Sequence, residues 1–395
     1  MLSYILRRIL LMFPTVFGIT LLVFLVMRLS PGGVAGAVMS AAGNMKPEEA
    51  KARLAYYNRV FGLKKPWYVQ YGRWLNRASP VGFHTYEEGD ADLAAAEKEA
   101  ADEFAKMPPG SEKPEPKISV GEVNFSRPAL KWPDLGHSIL RNQSVGSLIQ
   151  ERLPTTLLLE VLTIPFIYAI AITTGIYAAK HRGKAFDVGS GTVLLALWSI
   201  PTMWAGVMMI GYLANKDYLH WFPTSGLHDS LADNMAFWPH WKITEAGRSL
   251  QAGWLLDFAW HLVLPVLCLT YNGFAFLAKL MRASVLENLS ADFARTARAK
   301  GLAENVVLWR HVFRNSLLPL ITIAAALLPA LLGGALIIEV IFSIRGMGQL
   351  TVDAIKQSDQ NIVLGVTLVV GVITVVSQLL ADILYALADP RISYE

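Results

Sequence analysis

The chain has 395 residues, of which 53% are hydrophobic and 17% charged, with 35 lysines and arginines against 31 acids. So little charge excludes an ordinary soluble domain, and the net charge of +4 is too small to indicate nucleic-acid binding. A single cysteine, Cys268, excludes an internal disulfide, and no cysteine–histidine cluster suggests a zinc site.

Crossing about 30 Å of hydrocarbon takes roughly 20 helical residues. Six apolar stretches qualify: Ile9–Met27, Leu153–Ala179, Val188–Asn215, Phe258–Met281, Asn315–Ile338 and Asn361–Ala381. A helix satisfies its own backbone in lipid, so each is read as a transmembrane helix. The first follows Arg7 and Arg8 and could be a cleaved signal peptide, but it exceeds the usual apolar length of one, so a retained anchor is expected. Prolines 165, 201, 265 and 329 and glycines 175, 206, 333 and 334 mark expected kinks and close helix contacts.

Between the first two spans, Leu29–Arg152 forms an outer segment of roughly 120 residues. Within it Pro47–Trp74 has helical spacing, Glu87–Lys106 reads as an exposed Ala/Glu/Lys helix, and Met107–Lys117 as a proline-rich linker. Its carboxylates look like a solvated face, and no nucleophile pattern emerges, so a binding surface is expected rather than a catalytic one. A second outer loop, Lys216–Asp257, carries Trp221, Phe237, Trp238, Trp241 and Trp254, some of them expected at the bilayer interface.

Lysines and arginines settle the expected orientation. Arg7 and Arg8, then Lys180, Arg182 and Lys184, then Arg282, Arg295, Arg298, Lys300, Arg310 and Arg314, and finally Arg391 all fall on one side of six spans. That side is expected to be cytoplasmic, with both termini inside. The richest of these segments, Ala291–Pro319, is basic and polar, with an internal glycine between two apolar runs. Phe293, Ala297 and Leu302 offer a small apolar contact, Arg295, Arg298 and Lys300 supply charge at its edge, and Gly301 allows a sharp turn.

Several ordered motifs carry a family resemblance: Ser30-Pro31-Gly32-Gly33, Phe61-Gly62-Leu63, Asp134-Leu135-Gly136-His137-Ser138, Glu151-Arg152-Leu153-Pro154-Thr155-Thr156, Phe222-Pro223-Thr224-Ser225-Gly226, His261-Leu262-Val263-Leu264-Pro265, Thr296-Ala297-Arg298-Ala299-Lys300-Gly301, and Glu339 through Gly348. Together the chain resembles inner-membrane permeases of binding-protein-dependent ATP-binding-cassette importers, in the dipeptide/oligopeptide/nickel subfamily. The resemblance covers all but about 50 residues near Ser79–Lys131. It departs from the family at Arg295-Thr296-Ala297 (Glu-Ala-Ala in the general pattern), at Arg345 (usually proline), at Gln378 (usually asparagine), and in a longer outer insertion.

The resemblance implies an all-α integral membrane protein with six transmembrane helices, the type I importer permease fold and a large extracytoplasmic insertion between helices 1 and 2. Its expected parts are an N-terminal end and first span (1–28), an extracytoplasmic domain (29–152, insertion about 79–131), a transmembrane core (153–387, coupling loop 282–314) and a cytoplasmic tail (388–395). It implies a subunit of a bacterial inner membrane that pairs with a second, homologous permease as a heterodimer. Two ATPase subunits and a separate solute-binding protein complete the complex. The coupling-loop residues are then Phe293, Arg295, Thr296, Ala297, Arg298, Lys300, Gly301, Leu302 and His311. No GxxxxGK[ST] phosphate loop is present, so ATP and magnesium belong to the partners, with no cofactor, metal or catalytic residue on this chain. The expected cargo is peptide, with nickel or another small solute as the alternative; an intramembrane enzyme or a receptor scaffold are the remote ones.

Charge deep in the bilayer is costly, so polar groups on the spans are candidates for the pathway or gate. These are Glu160, Tyr271, Glu339 and Gln378, beside His261 and Asp382. His261 has no second ligand at i+4 and reads as a packing residue.

Overall fold

The computed structural model describes residues 2–29, 65–86, 123–138, 140–141, 143–244 and 247–388, with isolated positions 48, 94 and 98. The expected helix over Glu87–Lys106, the linker Met107–Lys117 and most of Pro47–Trp74 lie outside these residues.

Among the described residues the chain is dominated by helices: α1 (Leu2–Leu29), α2 (Trp67–Ala78), α3 (Val145–Lys180), α4 (Ala185–Ser199), α5 (Thr202–Met209), α6 (Trp254–Ser290), α7 (Asp292–Ala299), α8 (Glu304–Val306), α9 (Phe313–Ser316), α10 (Leu318–Ile341), α11 (Met347–Lys356) and α12 (Gln360–Ala388). Four helices are long and apolar enough to cross a membrane, and α4 with the segment Thr202–Ala214 makes a fifth span bent by 90°. The remaining expected span falls on α10, whose 24 residues reach about 36 Å. Helices α3 and α6, with 36 and 37 residues, are about 55 Å long and overrun the hydrocarbon core at their ends.

The third expected span breaks at Ile200-Pro201, where sequence alone marks only a kink. Pro201 offers no N–H to the Leu197 carbonyl, which accepts the Ile200 N–H at 3.1 Å, and the carbonyl of the extended Ile200 accepts the Tyr271 hydroxyl at 2.7 Å. Two small two-stranded antiparallel sheets also lie in the segments 29–152 and 216–257, which sequence reading did not anticipate. One pairs β1 (Val81–Thr85) with β2 (Val123–Leu130), and the other β3 (His240–Thr244) with β4 (Gly247–Gln251).

The chain divides into two compact units. The first comprises residues 1–13, 152–352 and 370–395. Its larger core joins Ile167, Ala171, Ala275, Leu277, Met281, Val285, Ala294, Val307, Val312 and Leu320, and a second cluster gathers Leu159, Leu264, Cys268, Ile338, Phe342 and Ile344. Helices α3 and α6 meet at small residues. A Cβ on Gly175 would lie 2.7 Å from Met281 Cβ, and one on Gly273 would lie 2.7 Å from Ile167 Cδ1. Close backbone approach of this kind drives helix association in lipid.

The second unit comprises residues 14–151 and 353–369. Phe24, Tyr71, Trp74, Ala78 and Leu364 form its core. Tyr71 Oη shares a 2.9 Å hydrogen bond with Thr20 Oγ1, fixing amphipathic α2 to α1. The Asp134–Ser138 motif closes onto the start of α12: Ser138 Oγ donates to Asp359 at 2.6 Å, and Asn361 Nδ2 donates to the His137 carbonyl at 2.7 Å.

Candidate functional site

The basic segment expected between the fourth and fifth spans is a built structure. Ala291 is extended and ends α6, and α7 follows at once. Helix α7 buries Ala294 and Ala297, which are 0% and 5% exposed, against Val285, Val307, Leu308 and Val312. The i, i+3 spacing of these alanines puts them on one face. Ala297 was expected in an outward apolar contact; the structure turns it inward, because that same face packs on the core. Phe293, Arg295, Thr296 and Lys300 stay exposed, as does Leu302 beyond the turn.

Gly301 terminates α7 with φ +82°, a backbone conformation that costs an L side chain about 1–2 kcal/mol. Around it the Leu302 N–H bonds the Ala297 carbonyl at 3.3 Å and the Gly301 N–H bonds the Arg298 carbonyl at 2.9 Å. That pair of bonds is a Schellman motif, the usual glycine-dependent helix stop. A Cβ at Gly301 would meet nothing within 4 Å, so the requirement is conformational.

Arg298 was expected as edge charge, and the structure gives it an internal task. Its Nη1 donates to the Leu289 carbonyl at 3.0 Å, and Nε and Nη2 donate to the Glu304 carboxylate at 3.0 and 2.8 Å. One guanidinium thus ties the end of α6, the end of α7 and the start of α8. The pairing holds the Glu304 carboxyl below its ordinary range and raises Arg298. The tie is half-exposed, so its strength is screened by solvent.

Beyond α8 the backbone opens into a π-helical turn, Val307–Val312. Val307 and Val312 point into the core, Trp309 is exposed, and His311 is half-buried. Ser316 is fully buried on α9, where its hydroxyl donates to Val312 O at 2.9 Å and receives Asn288 Nδ2 at 3.2 Å. Nearby, Arg282 grips the buried Asp187 of α4 through both nitrogens of its fork, Nη2 at 2.8 Å. Lys180 at the end of α3 reaches Asn305 at 3.3 Å. The loop is therefore fastened to α3 and α6, and α6 in turn to α4.

The expected pathway residues are dispersed rather than gathered. Glu339, 0% exposed near the end of α10, accepts the Thr156 hydroxyl at 2.6 Å and the Gln349 N–H at 3.0 Å. Thr156 Oγ1 in turn accepts the Met347 N–H at 2.9 Å. A carboxylate from one helix thus caps the N-terminus of α11, where the orphan N–H groups and the helix dipole favour an anion. A Cβ on Gly346 would fall on the Glu339 carboxylate, and one on Gly348 on the Leu336 backbone, which explains the glycines of that motif. Glu160 lies one turn along α3 from Thr156 and is also buried, with neither carboxylate oxygen hydrogen-bonded. Tyr271 holds the α4–α5 break, and Gln378 is exposed on α12. His261 bonds the Asp257 carbonyl within its own helix at 2.9 Å, and the described residues contain no cluster that could hold a metal.

Long apolar helices, interrupted by one compact amphipathic helix beside an exposed Phe/Lys face, define the class as membrane-spanning. Comparison with known proteins makes the class specific. Residues 171–394 match the family model described as binding-protein-dependent transport system inner membrane component, and the chain belongs to that family. It is 32% identical to the oligopeptide transport system permease protein AppB of Bacillus subtilis (strain 168) over 395 residues, all of both chains. It is also 32% identical to the di/tripeptide transport system permease protein DppB of Pseudomonas aeruginosa (strain UCBPP-PA14), again over all of both chains. With the peptidoglycan transport system permease protein YejB of Agrobacterium fabrum (strain C58 / ATCC 33970) it shares 31% identity, over 100% of this chain and 98% of the relative. A solved amino acid ABC transporter with histidines aligns with 61% of this chain and 94% of its own, at TM-score 0.40 and 12% identity.

Proposed function

We propose that this chain forms half of the translocation pathway of a peptide importer, and that α7 is the element through which partner ATPases drive it. The peptide assignment leans on the relatives named for oligopeptide and di/tripeptide transport. The single observation that carries the coupling role is the geometry of α7. It is an eight-residue helix whose alanine face is packed on the bundle core, whose Phe293-Thr296-Lys300 face is free, and whose end is fixed by Gly301. A free amphipathic face on a rigid, well-fastened helix is what a docking partner needs, since neither side then loses much order on binding.

In this reading α7, both termini and the other lysine- and arginine-rich turns lie on the cytoplasmic side. The outer segments 29–152 and 216–257 face a solute-binding protein that delivers the cargo. A second, homologous permease supplies the other half of the pathway. ATP and magnesium are held by the ATPases, whose closure moves α7 and shifts the bundle between inward- and outward-facing states. The switch draws its energy from the difference in partner affinity between those states. Contact residues on α7 are Phe293, Arg295, Thr296, Lys300 and, past the turn, Leu302. Arg298, Gly301 and Ala297 shape the element, and His311 supports the following turn. Glu160, Tyr271, Glu339 and Gln378 act on the pathway through the packing of α3, α6, α10 and α12.

The test is co-purification of the ATPases with Phe293→Ala, Lys300→Glu and Gly301→Val variants, paired with peptide uptake. Loss of both, with the permease still inserted and folded, supports the reading. Retention of both in all three variants overturns it.

A further inference from the structure

The turn that joins α3 to α4 carries Lys180, His181, Arg182, Gly183 and Lys184, with two candidate spans on either side of it. The apolar run of α3 continues to Ala179 and α4 begins at Ala185, so the turn follows directly on the end of an expected span. Lys180, Arg182 and Lys184 are all exposed.

The local carboxylate does not balance them. Asp187 is buried, gripped by Arg282 and accepting the Gly183 N–H at 2.9 Å, although Arg182 is within its electrostatic reach. Lys180 meets only the neutral Asn305 amide, and Glu304, next to Asn305, is taken by Arg298. Around the cations stands an exposed aromatic group. Tyr177 packs on His181 at 4.2 Å and edge-on to Phe186 at 4.6 Å, and the two rings are 50% and 43% exposed. Gly183, at φ +76°, lets the turn double back so that cations and rings share one short stretch of surface.

We infer that this turn is a binding site for the phosphate headgroup of an anionic phospholipid, with Lys180, Arg182 and Lys184 as its cations and Tyr177 and Phe186 as its interfacial floor. Amphipathic aromatic rings settle at headgroup depth, and basic residues beside a span gain from anionic lipid. A bound lipid here would brace the α3–α4 corner, and through Asp187–Arg282 the end of α6. The inference needs the membrane placement of α3 and α4, and stands apart from the docking role of α7.

The test titrates the assembled transporter, purified and delipidated, with dihexanoyl phosphatidylglycerol, dihexanoyl phosphatidylcholine or inorganic phosphate, and reads the unfolding midpoint. Phosphatidylglycerol should stabilise the wild type more than either control. An Arg182→Gln/Lys184→Gln variant, which keeps the Lys180–Asn305 contact, should bind it more weakly by about fivefold per charge removed, with its midpoint in phosphatidylcholine unchanged. Lys180→Arg/Lys184→Arg should bind as wild type does, which separates charge from folding. Equal response of the glutamine variant to phosphatidylglycerol overturns the inference. So does full reproduction by inorganic phosphate, or release of the ATPases from the variant in phosphatidylcholine alone, which would make the turn a protein contact.

Discussion

Thr156 and Glu339 stand 183 residues apart in sequence and 2.6 Å apart across the bundle, the hydroxyl of α3 donating to the carboxylate of α10. The same hydroxyl receives the Met347 N–H, and the same carboxylate the Gln349 N–H, so three helices converge on two side chains. Thr156→Val keeps the volume and leaves two buried polar groups short of a partner. It should destabilise the protein by about 1–3 kcal/mol, read as denaturant or thermal unfolding in detergent. An unchanged midpoint would remove the knot from the account.

Gly346→Ala tests the same knot from its other side. The new methyl would occupy the space of the Glu339 carboxylate, which is buried and hydrogen-bonded. Overpacking there should cost about 1–3 kcal/mol, more than Ala at Gly189, a helical position where nothing lies within 4 Å of a Cβ. The unfolding midpoints of Gly346→Ala and Gly189→Ala, compared with each other, check it.

Gly301 needs a different argument, since an added side chain there meets open space. Its φ of +82° makes Gly301→Val cost about 1–2 kcal/mol in local conformation alone. The cost falls on the end of α7, so uptake and ATPase co-purification should drop while the global unfolding midpoint moves little. A variant that loses its global midpoint instead would place Gly301 in the core of the fold.

The Arg298–Glu304 tie predicts a pH effect with a definite sign. Glu304 is held below its ordinary value by Arg298, so the tie contributes fully above the unfolded carboxylate value near pH 4.5 and fades as pH falls through the lower folded value. Being half-exposed it should supply below about 1 kcal/mol. A double-mutant cycle of Arg298→Gln and Glu304→Gln at pH 7, repeated in high salt and at pH 3, measures it. Coupling that rises with salt or with acid contradicts the assignment.

Arg282 and Asp187 form the most buried ion pair of the loop region, with Asp187 6% exposed. Arg282→Ala leaves the Asp187 carboxylate with only the Gly183 N–H and the nearby Arg182 charge, and because Arg282 is partly exposed it should cost about 1–3 kcal/mol. Arg282→Ala with Asp187→Ala should recover part of that loss in the same unfolding assay.

Much of this arrangement is written locally. Apolar runs of helix length place the spans, and the glycine at 301 marks the stop of α7, but the inward face of Ala294 and Ala297 is set by packing against Val285, Val307 and Val312, which sequence spacing does not reveal. Pro201 signals a kink, but neither the 90° bend nor the Tyr271 hydroxyl that donates to the Ile200 carbonyl at the break, 71 residues away, can be read from it. Glu339 reads as a pathway acid from sequence because its partners, Thr156 and the 347–349 backbone, meet it only in three dimensions. Arg298 reads as a free edge charge for a nearer reason. Its partner Glu304 is six residues on, across a glycine turn that reverses the chain, a spacing that helix periodicity does not flag. The strands β1, β3 and β4 have only five residues each, and β2 carries Pro128 in its interior, so any alternation in them is too short or too interrupted to stand out from the sequence.

Cysteine accessibility at Thr296, exposed on the free face of α7, tests the central claim most directly. Cys268 is the lone native thiol and is buried, so a Thr296→Cys variant made with Cys268→Ala reports one site. The account predicts labelling by a membrane-impermeant maleimide in inside-out vesicles only, and protection when the ATPases are bound. Labelling from the outside of intact cells, or no protection by the ATPases, would contradict it.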